Sequence, residues 1–394
     1  MIYTHKTMLF LGVLLLACQG SVGYVVPIQG RPTGHSDYVL HAEAATTTLQ
    51  QWYNRSSGLW DTTGWWNSAN CITMLADLTA VDRSMTAMTL DVFQNTFVEA
   101  QEYNLQSVKI MDVDWIRTYT WPDHPPGHGE PLIINPKGFL NNYYDDEGWW
   151  ALGWIKVYDL THDPQYIKAA VDIFADMTTG YDATCGGLWW DKSHTQNGAI
   201  ENELFLSVAA HLANRMPNKQ YYLDWALKEW KWFQASGMIN QQNNINNGLN
   251  LVTCQNDNGT VWSYNQGVIL GGLVELNRAS PDDSYLLTAN NIAFAALKTL
   301  TDSNGILHDA CEPNCGADGP QFKGVFMRNI QILQQVSPND QLKTFIDANA
   351  NSIWTNDRGA DNQLGTIWSG PFTGATASTQ SSACDALVAA VAVG

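Results

Sequence analysis

Four times in this chain one helical pattern stops and the next opens beside a proline: Asp163-Pro164, Met216-Pro217, Ser280-Pro281 and Ser337-Pro338. Proline is tolerated in a helix's first turn because the N–H it lacks would have no partner there. The intervals are all roughly sixty residues, the size of a helical hairpin repeated along an array. Apolar residues recur at i, i+3, i+4 and i+7 over about twelve segments: 36–54, 66–80, 86–104, 146–162, 164–179, 197–216, 218–237, 263–280, 281–299, 320–336, 338–357 and 377–393. Within each pair the turn is short. Between pairs the connections are longer and rich in Gly, Asn, Asp and Trp. Short turns at one end and decorated loops at the other describe an all-α chain, an (α/α)6 barrel of six helical hairpins. Nearly apolar stretches such as Asn265-Gln-Gly-Val-Ile-Leu-Gly-Gly-Leu273 would form the inner ring, and amphipathic helices the outer one. An open solenoid is the alternative. No linker divides the chain, so residues 24–394 are expected to form a single domain.

Residues 1–23 read as a secretory signal peptide. His5 and Lys6 precede an apolar run from Met8 to Ala17, and small residues lead to a cleavage point near Gly23. The run is shorter than the roughly 20 residues a bilayer requires. Cys18 lies within it, leaving Cys71, Cys185, Cys254, Cys311, Cys315 and Cys384. An even count in an exported chain implies disulfides, although six cysteines allow about 15 connectivities. A tight Cys311–Cys315 loop, Cys185–Cys254 and Cys71–Cys384 are the expected pairs, the last stapling the first inner helix to the final one. A zinc site is the alternative, but the spacings match no common zinc pattern. Asn54-Arg-Ser and Asn258-Gly-Thr are N-glycosylation sequons.

A formal charge of −18 excludes a nucleic-acid binder, which needs Lys and Arg against phosphate, and argues against an anionic membrane surface. A neutral carbohydrate is compatible. The 17 Trp and 15 Tyr could stack on the apolar faces of sugar rings, or simply fill a large core. Position separates these uses. The N-termini of the inner helices converge at one end of such a barrel, bringing together Trp65-Trp66-Asn67, Tyr143-Tyr144-Asp145-Asp146, Gln196-Asn197, Tyr264-Asn265-Gln266, Gln321-Phe322-Lys323 and Thr379-Gln380. Singly, such residues are helix caps; together they make a polar cleft with aromatic walls.

Asp145 and Asp146 stand out among them. An acidic helix start is favourable on dipole grounds alone, but that does not explain the tyrosines before the pair or Trp149, Trp150 and Trp154 after it. Two carboxylates on one turn suit glycoside hydrolysis, one as nucleophile or base and the other as proton donor. Consecutive Cα atoms lie about 3.8 Å apart, and diverging side chains reach carboxyl separations near 5 Å, the retaining geometry. Like-charge repulsion and aromatic burial would raise the pKa of the donor.

These residues resemble glycoside hydrolase family 76, the α-1,6-mannanases and related fungal cell-wall proteins. Tyr143-Tyr-Asp-Asp146 with Trp149-Trp-Ala-Leu152 looks like the family's catalytic motif. Trp66-Asn-Ser-Ala-Asn70, Gly186-Gly-Leu-Trp-Trp190, Asn197-Gly-Ala-Ile200, Tyr264-Asn-Gln-Gly267 and Phe322-Lys-Gly-Val-Phe326 follow in the family's order. The resemblance implies a retaining double displacement on α-mannan without metal or cofactor. Asp145 would be the nucleophile and Asp146 the general acid/base. Trp66, Asn67, Tyr144, Trp149, Trp190, Asn197, Tyr264, Asn265 and Gln266 would line the substrate subsites. Lys323 would bind a hydroxyl or charged group of the glycan, or be an ordinary surface lysine. Fungal members often end in an anchor signal, whereas Ala386–Gly394 reads here as the last barrel helix. A freely secreted, monomeric, degradative enzyme is therefore expected over an anchored one. A transglycosylase sharing the covalent intermediate and a non-catalytic mannan-binding protein are the alternatives.

Overall fold

The computed structural model describes residues 36–101, 107–111, 116–120 and 138–394; the expected signal segment lies outside them. Among the described residues the chain forms twelve α-helices: α1 (Ser36–Leu49), α2 (Trp65–Val81), α3 (Thr86–Glu99), α4 (Tyr144–Thr161), α5 (Pro164–Met177), α6 (Ala199–Ala213), α7 (Lys219–Ser236), α8 (Ser263–Ala279), α9 (Asp283–Leu300), α10 (Phe322–Val336), α11 (Asp340–Asn356) and α12 (Ala377–Val393). The even-numbered helices pack each on the next, and α12 returns to pack on α2. The ring is closed, and the open solenoid is excluded. The odd-numbered helices form the outer layer. Five hairpins are consecutive in sequence; in the sixth, α12 at the end of the chain is covered by α1 at its start.

Composition explains the layering. The residues of α6 are buried on every face, and α12 is buried through Val391, because each is packed both outward and inward. In α7 only Tyr222, Leu223, Ala226, Glu229, Trp230 and Phe233 are buried, the single stripe an outer helix needs. Two glycines set the inner spacing. A Cβ on Gly267 of α8 would lie 2.7 Å from Phe326 Cα, and one on Gly324 of α10 would lie 2.5 Å from Ser382 Cα. These helices pack backbone against backbone.

One device recurs at the mouth of the ring. The fourth residue of the inner helix accepts a backbone N–H from the loop that leads into it. Trp60 donates to Ser68 Oγ at 3.3 Å in α2 and Asn141 to Glu147 Oε1 at 2.8 Å in α4. Leu188 donates to Asn202 Oδ1 at 2.7 Å in α6, Ile245 to Gln266 Oε1 at 2.8 Å in α8, and Leu364 to Gln380 Oε1 at 2.8 Å in α12. The equivalent residue of α10 is Val325, which cannot accept; there Asn349 of α11 takes the Leu307 N–H at 2.9 Å. Five of the six long loops are thus tied to the inner helix they lead into, and the sixth to the outer helix α11.

Disulfides join Cys185 to Cys254 and Cys311 to Cys315. The expected Cys71–Cys384 bridge is not formed. Both residues are buried free thiols on the packed helices α2 and α12, and the ring closes there through side-chain packing without a staple. Burial pushes the Cys71 thiol up to about 12. The proline signal also needs correction. Only Pro164 occupies a first helical position. Pro281 and Pro338 lie two residues ahead of their helices, whose starts are set by Asp282 and Asn339 accepting N–H bonds from Ser284 and Gln341. An antiparallel ribbon of Ser107–Met111 with Ile116–Thr120, before α4, was not anticipated. Asn258 is exposed, and Asn54 is half-buried with its amide bonded to Asp61. No described helix is long and apolar enough to cross a membrane.

Candidate active site

Asp145 and Asp146 are the second and third residues of α4, and both are almost completely buried. Successive helical side chains point about 100° apart, so the pair divides its attention. Asn141 Nδ2 donates to Asp146 Oδ2 at 2.7 Å and sets its orientation. Asp145 lies within electrostatic reach of Tyr264 on α8 and Glu201 on α6, across the mouth of the ring. Burial pushes the Tyr264 phenol well up, and the nearby carboxyls of Asp145, Glu201, Glu203 and Asp318 push it further. The next residue, Glu147, is drawn away from this centre. It holds the Asn141 N–H and receives the Lys192 ammonium at 2.6 Å. Of the three acids at the start of α4, Glu147 is the one that anchors the loop.

Aromatic rings wall the centre. Trp66 lies 5.4 Å from Trp149 and 6.3 Å from Phe322, centroid to centroid, and Phe322 stacks on Tyr264 at 3.9 Å. The Trp66 indole N–H donates to Asp318 Oδ1 at 2.6 Å, which fixes its face. Helices α2, α4, α8 and α10 each place one ring of this wall. Opposite, Tyr143 packs on Trp190 at 4.9 Å, and the Tyr144 N–H donates to the Trp190 carbonyl.

Three expected site residues are turned to other work. Tyr144 points outward: its hydroxyl meets Thr179 at 3.3 Å, and its ring lies where a Cβ on Gly180 would be. Gln266 is the loop clasp of α8, its amide donating to the Ile245 and Trp262 carbonyls. Lys323 is not a surface lysine. It is 1% exposed, and its ammonium meets Glu312 at 2.5 Å, the Thr366 carbonyl at 2.6 Å and the Leu307 carbonyl at 3.4 Å, beside the Trp368 ring. An ammonium has three donors, and these contacts account for them. Asn67 accepts the Gly64 N–H at 3.1 Å as a cap. Asn197 donates to the Gly186 and Leu188 carbonyls, and Asn265 to Asn247 at 3.4 Å.

Two acids at this centre escaped the sequence reading. Glu201 is fully buried at the third position of α6 and accepts the Gly198 N–H. Glu203 is fully buried two residues on. Burial pushes both carboxyls well above the usual range; for Glu201 the Asp145 charge adds to the push, and for Glu203 the Glu201 charge does. Their signal was Glu201-Asn-Glu203 at an inner-helix start, parallel to Asp145-Asp146-Glu147. Among the described residues no group of three or more His, Cys, Asp or Glu is placed to hold a metal ion.

The model of glycosyl hydrolase family 76 matches residues 132–393. Over 226 residues the chain is 26% identical to the mannan endo-1,6-alpha-mannosidase DFG5 of Candida albicans, covering 52% of this chain and 50% of that protein. The DCW1 mannan endo-1,6-alpha-mannosidase of Saccharomyces cerevisiae matches at 26% over 227 residues, again 52% and 50%. The chain thus spans about half the length of the curated relatives it matches. Among solved structures, an inactive alpha-1,6-mannanase GH76A of Salegentibacter, with two neighbouring aspartates changed to asparagine and alpha-1,6-mannotriose bound, superposes with a TM-score of 0.74 at 18% identity, covering 91% of this chain and 100% of that one. Dfg5 of Chaetomium thermophilum in complex with glucosamine gives 0.73 at 18% identity, covering 91% and 90%. At such identities these neighbours establish the shared (α/α)6 fold.

Proposed function

We propose, from the premise that this chain belongs to glycosyl hydrolase family 76, that it is a secreted endo-acting α-1,6-mannanase using Asp145 and Asp146 in a double displacement. The observation that carries this reading is the buried pair of consecutive carboxyls at the open end of α4, facing a wall of Trp66, Trp149, Tyr264 and Phe322. The names of the relatives, and the mannotriose held by the Salegentibacter enzyme, support the substrate class. The signal-like leader, the two disulfides and the exposed Asn258 sequon support export.

In this mechanism the Asp145 carboxylate, at the N-terminal end of α4, attacks the anomeric carbon. Asp146, held by Asn141, gives its proton to the departing glycosidic oxygen. The covalent mannosyl–Asp145 ester is then opened by water, whose proton passes to Asp146, and both carboxyls return to their starting state. The aromatic wall holds the pyranose and excludes bulk water.

The test is the purified protein with linear α-1,6-mannan. Asp145→Asn and Asp146→Asn should each lower turnover by about a thousandfold or more while the fold is kept. Retention of near-native turnover in either would remove that residue from the chemistry. The first-formed product should carry the α-anomer by NMR; the β-anomer would overturn the double displacement.

A further inference from the structure

Asp146 has two carboxyl oxygens, and only one of them can carry the proton that the first step gives away. We propose that Asn141 decides which. It is a positioning residue whose amide keeps Asp146 Oδ2 an acceptor and leaves the proton on Oδ1, and Lys192 is the remote clamp that holds Asn141 to this task. Both roles rest on the reading of the protein as an α-mannan hydrolase with Asp146 as its acid/base, and they extend it to the groups that aim the proton.

Three bonds fix Asn141, which is buried. Its backbone N–H donates to Glu147 Oε1 at 2.8 Å, its Oδ1 accepts the Tyr143 N–H at 2.8 Å, and its Nδ2 donates to Asp146 Oδ2 at 2.7 Å. A backbone N–H can only donate, so the atom facing Tyr143 has to be the amide oxygen, and the amide nitrogen is then turned on Asp146. A proton on Oδ2 would meet that N–H head on. The proton therefore rides Oδ1. In the first step an Asp145 oxygen forms the new bond to the anomeric carbon while the glycosidic C–O bond breaks. The electron pair of the broken bond stays on the departing oxygen, which takes the proton as the Oδ1–H bond breaks. Asp146 is left a carboxylate whose Oδ2 still accepts from Asn141. A hydrogen bond to an ionised oxygen is stronger than one to a neutral acid, so the amide stabilises the transition state more than the ground state. In the second step the attacking water returns a proton to Oδ1.

Lys192 secures this arrangement from outside. Its ammonium meets Glu147 on α4 and Asp176 on α5, each at 2.6 Å, and its backbone N–H donates to the Asn142 carbonyl at 3.0 Å. Tyr143 and Asp191 pair in the same short antiparallel bridge. Glu147 Oε1 thus serves two donors at once, the Lys192 ammonium and the Asn141 N–H. Removing the ammonium strips a buried carboxyl of its counter-charge and frees the contact that registers Asn141. The Lys192 side chain is 29% exposed, so its replacement opens no hole in the core.

The experiment measures kcat/KM, which reports the first step, on linear α-1,6-mannan and on a 2,4-dinitrophenyl α-1,6-mannotetraoside, whose phenolate departs without a proton. Asn141→Ala keeps the backbone N–H and removes only the amide. It should lower the value on mannan by about a hundredfold and on the aryl glycoside by about tenfold or less. Lys192→Met should lower the value on mannan by about tenfold with the same preference for the aryl glycoside, and Lys192→Arg, which keeps the charge, should recover most of that loss. Combined in one chain, Asn141→Ala and Lys192→Met should be no worse than Asn141→Ala alone, because both act on one contact. Equal losses on the two substrates would overturn the positioning role, and multiplied losses in the double variant would overturn the clamp. If Asn141→Ala does not fold, Lys192→Met carries the same two-substrate comparison. A wild type inert on both substrates would instead sink the hydrolase reading, and the positioning role with it.

Discussion

Glu201 shows how a single residue's role turns on its proton. It is fully buried, caps Gly198 and sits near the Asp145 charge. Burial and that charge keep it neutral well above the usual carboxylate range, so it can hold the start of α6 without adding a second negative charge beside Asp145. Glu201→Gln, which mimics the neutral acid, should leave kcat and unfolding stability within a fewfold and about 1 kcal/mol of wild type. Glu201→Ala leaves the Gly198 N–H without its acceptor and should cost about 1–3 kcal/mol by denaturant titration. A Gln variant with activity down a hundredfold would mean that an ionised Glu201 takes part in the reaction. At this scale the paired-aspartate motif was legible, because Asp145-Asp146 between aromatics is a local pattern. The separate tasks of Asp145 and Glu147 were not, since they depend on Tyr264 and Lys192, which come from other parts of the chain, and the Asn141 bond to Asp146, though local, depends on how the loop before α4 folds back.

At the scale of elements, twelve helices were readable within a few residues of their observed ends, because apolar periodicity survives in both layers. The exact starts followed the side-chain caps Asp163, Asp282 and Asn339 more closely than the prolines. The Ser107–Met111 and Ile116–Thr120 ribbon carried a legible signal in its Val, Ile, Thr and Tyr content, masked by the surrounding helical pattern. The glycine contacts have a direct consequence. Gly324→Ala places a methyl against the α12 backbone, where neither helix can yield alone. It should destabilise the fold by about 1–3 kcal/mol although Ala is the better helix former. A stabilised variant in chemical denaturation would show that α10 and α12 can separate without cost.

Across the whole molecule, an interior ringed by helices holds carboxyls that folding keeps protonated. Burial raises Glu229 and Asp385 to about 8 each, the latter against the pull of Arg328, and Asp309 to about 6. A carboxyl whose pKa is raised on folding adds no penalty below its unfolded value, 3.8 for Asp385 and Asp309 and 4.5 for Glu229. As pH rises the unfolded chain ionises first, so stability falls until the folded group ionises as well. The melting temperature should therefore decline between about pH 5 and pH 8. Opposing groups act lower in the range: His211, depressed from 6.5 to about 4 by burial, costs stability as pH falls below about 6.5 and so offsets part of the decline there, while Glu275, lowered to about 2 beside His211 and Arg215, costs stability only below about 4.5. A melting temperature that climbs steadily from pH 5 to pH 8 would mean that these buried acids are ionised in the native state.

The sequence by itself determined the helical repeat, the inner and outer character of each helix and the place of the paired aspartates. Each of these is written in spacings of a few residues. Tertiary structure decided which ends meet: that α1 covers α12, that Cys71 and Cys384 remain thiols, that Lys323 is buried against Glu312, that Tyr144 turns to Thr179, and that Glu201 lies near Asp145. Those outcomes depend on the closure of the ring, which sets residues hundreds of positions apart side by side and gives an inner-helix side chain only one direction in which to point.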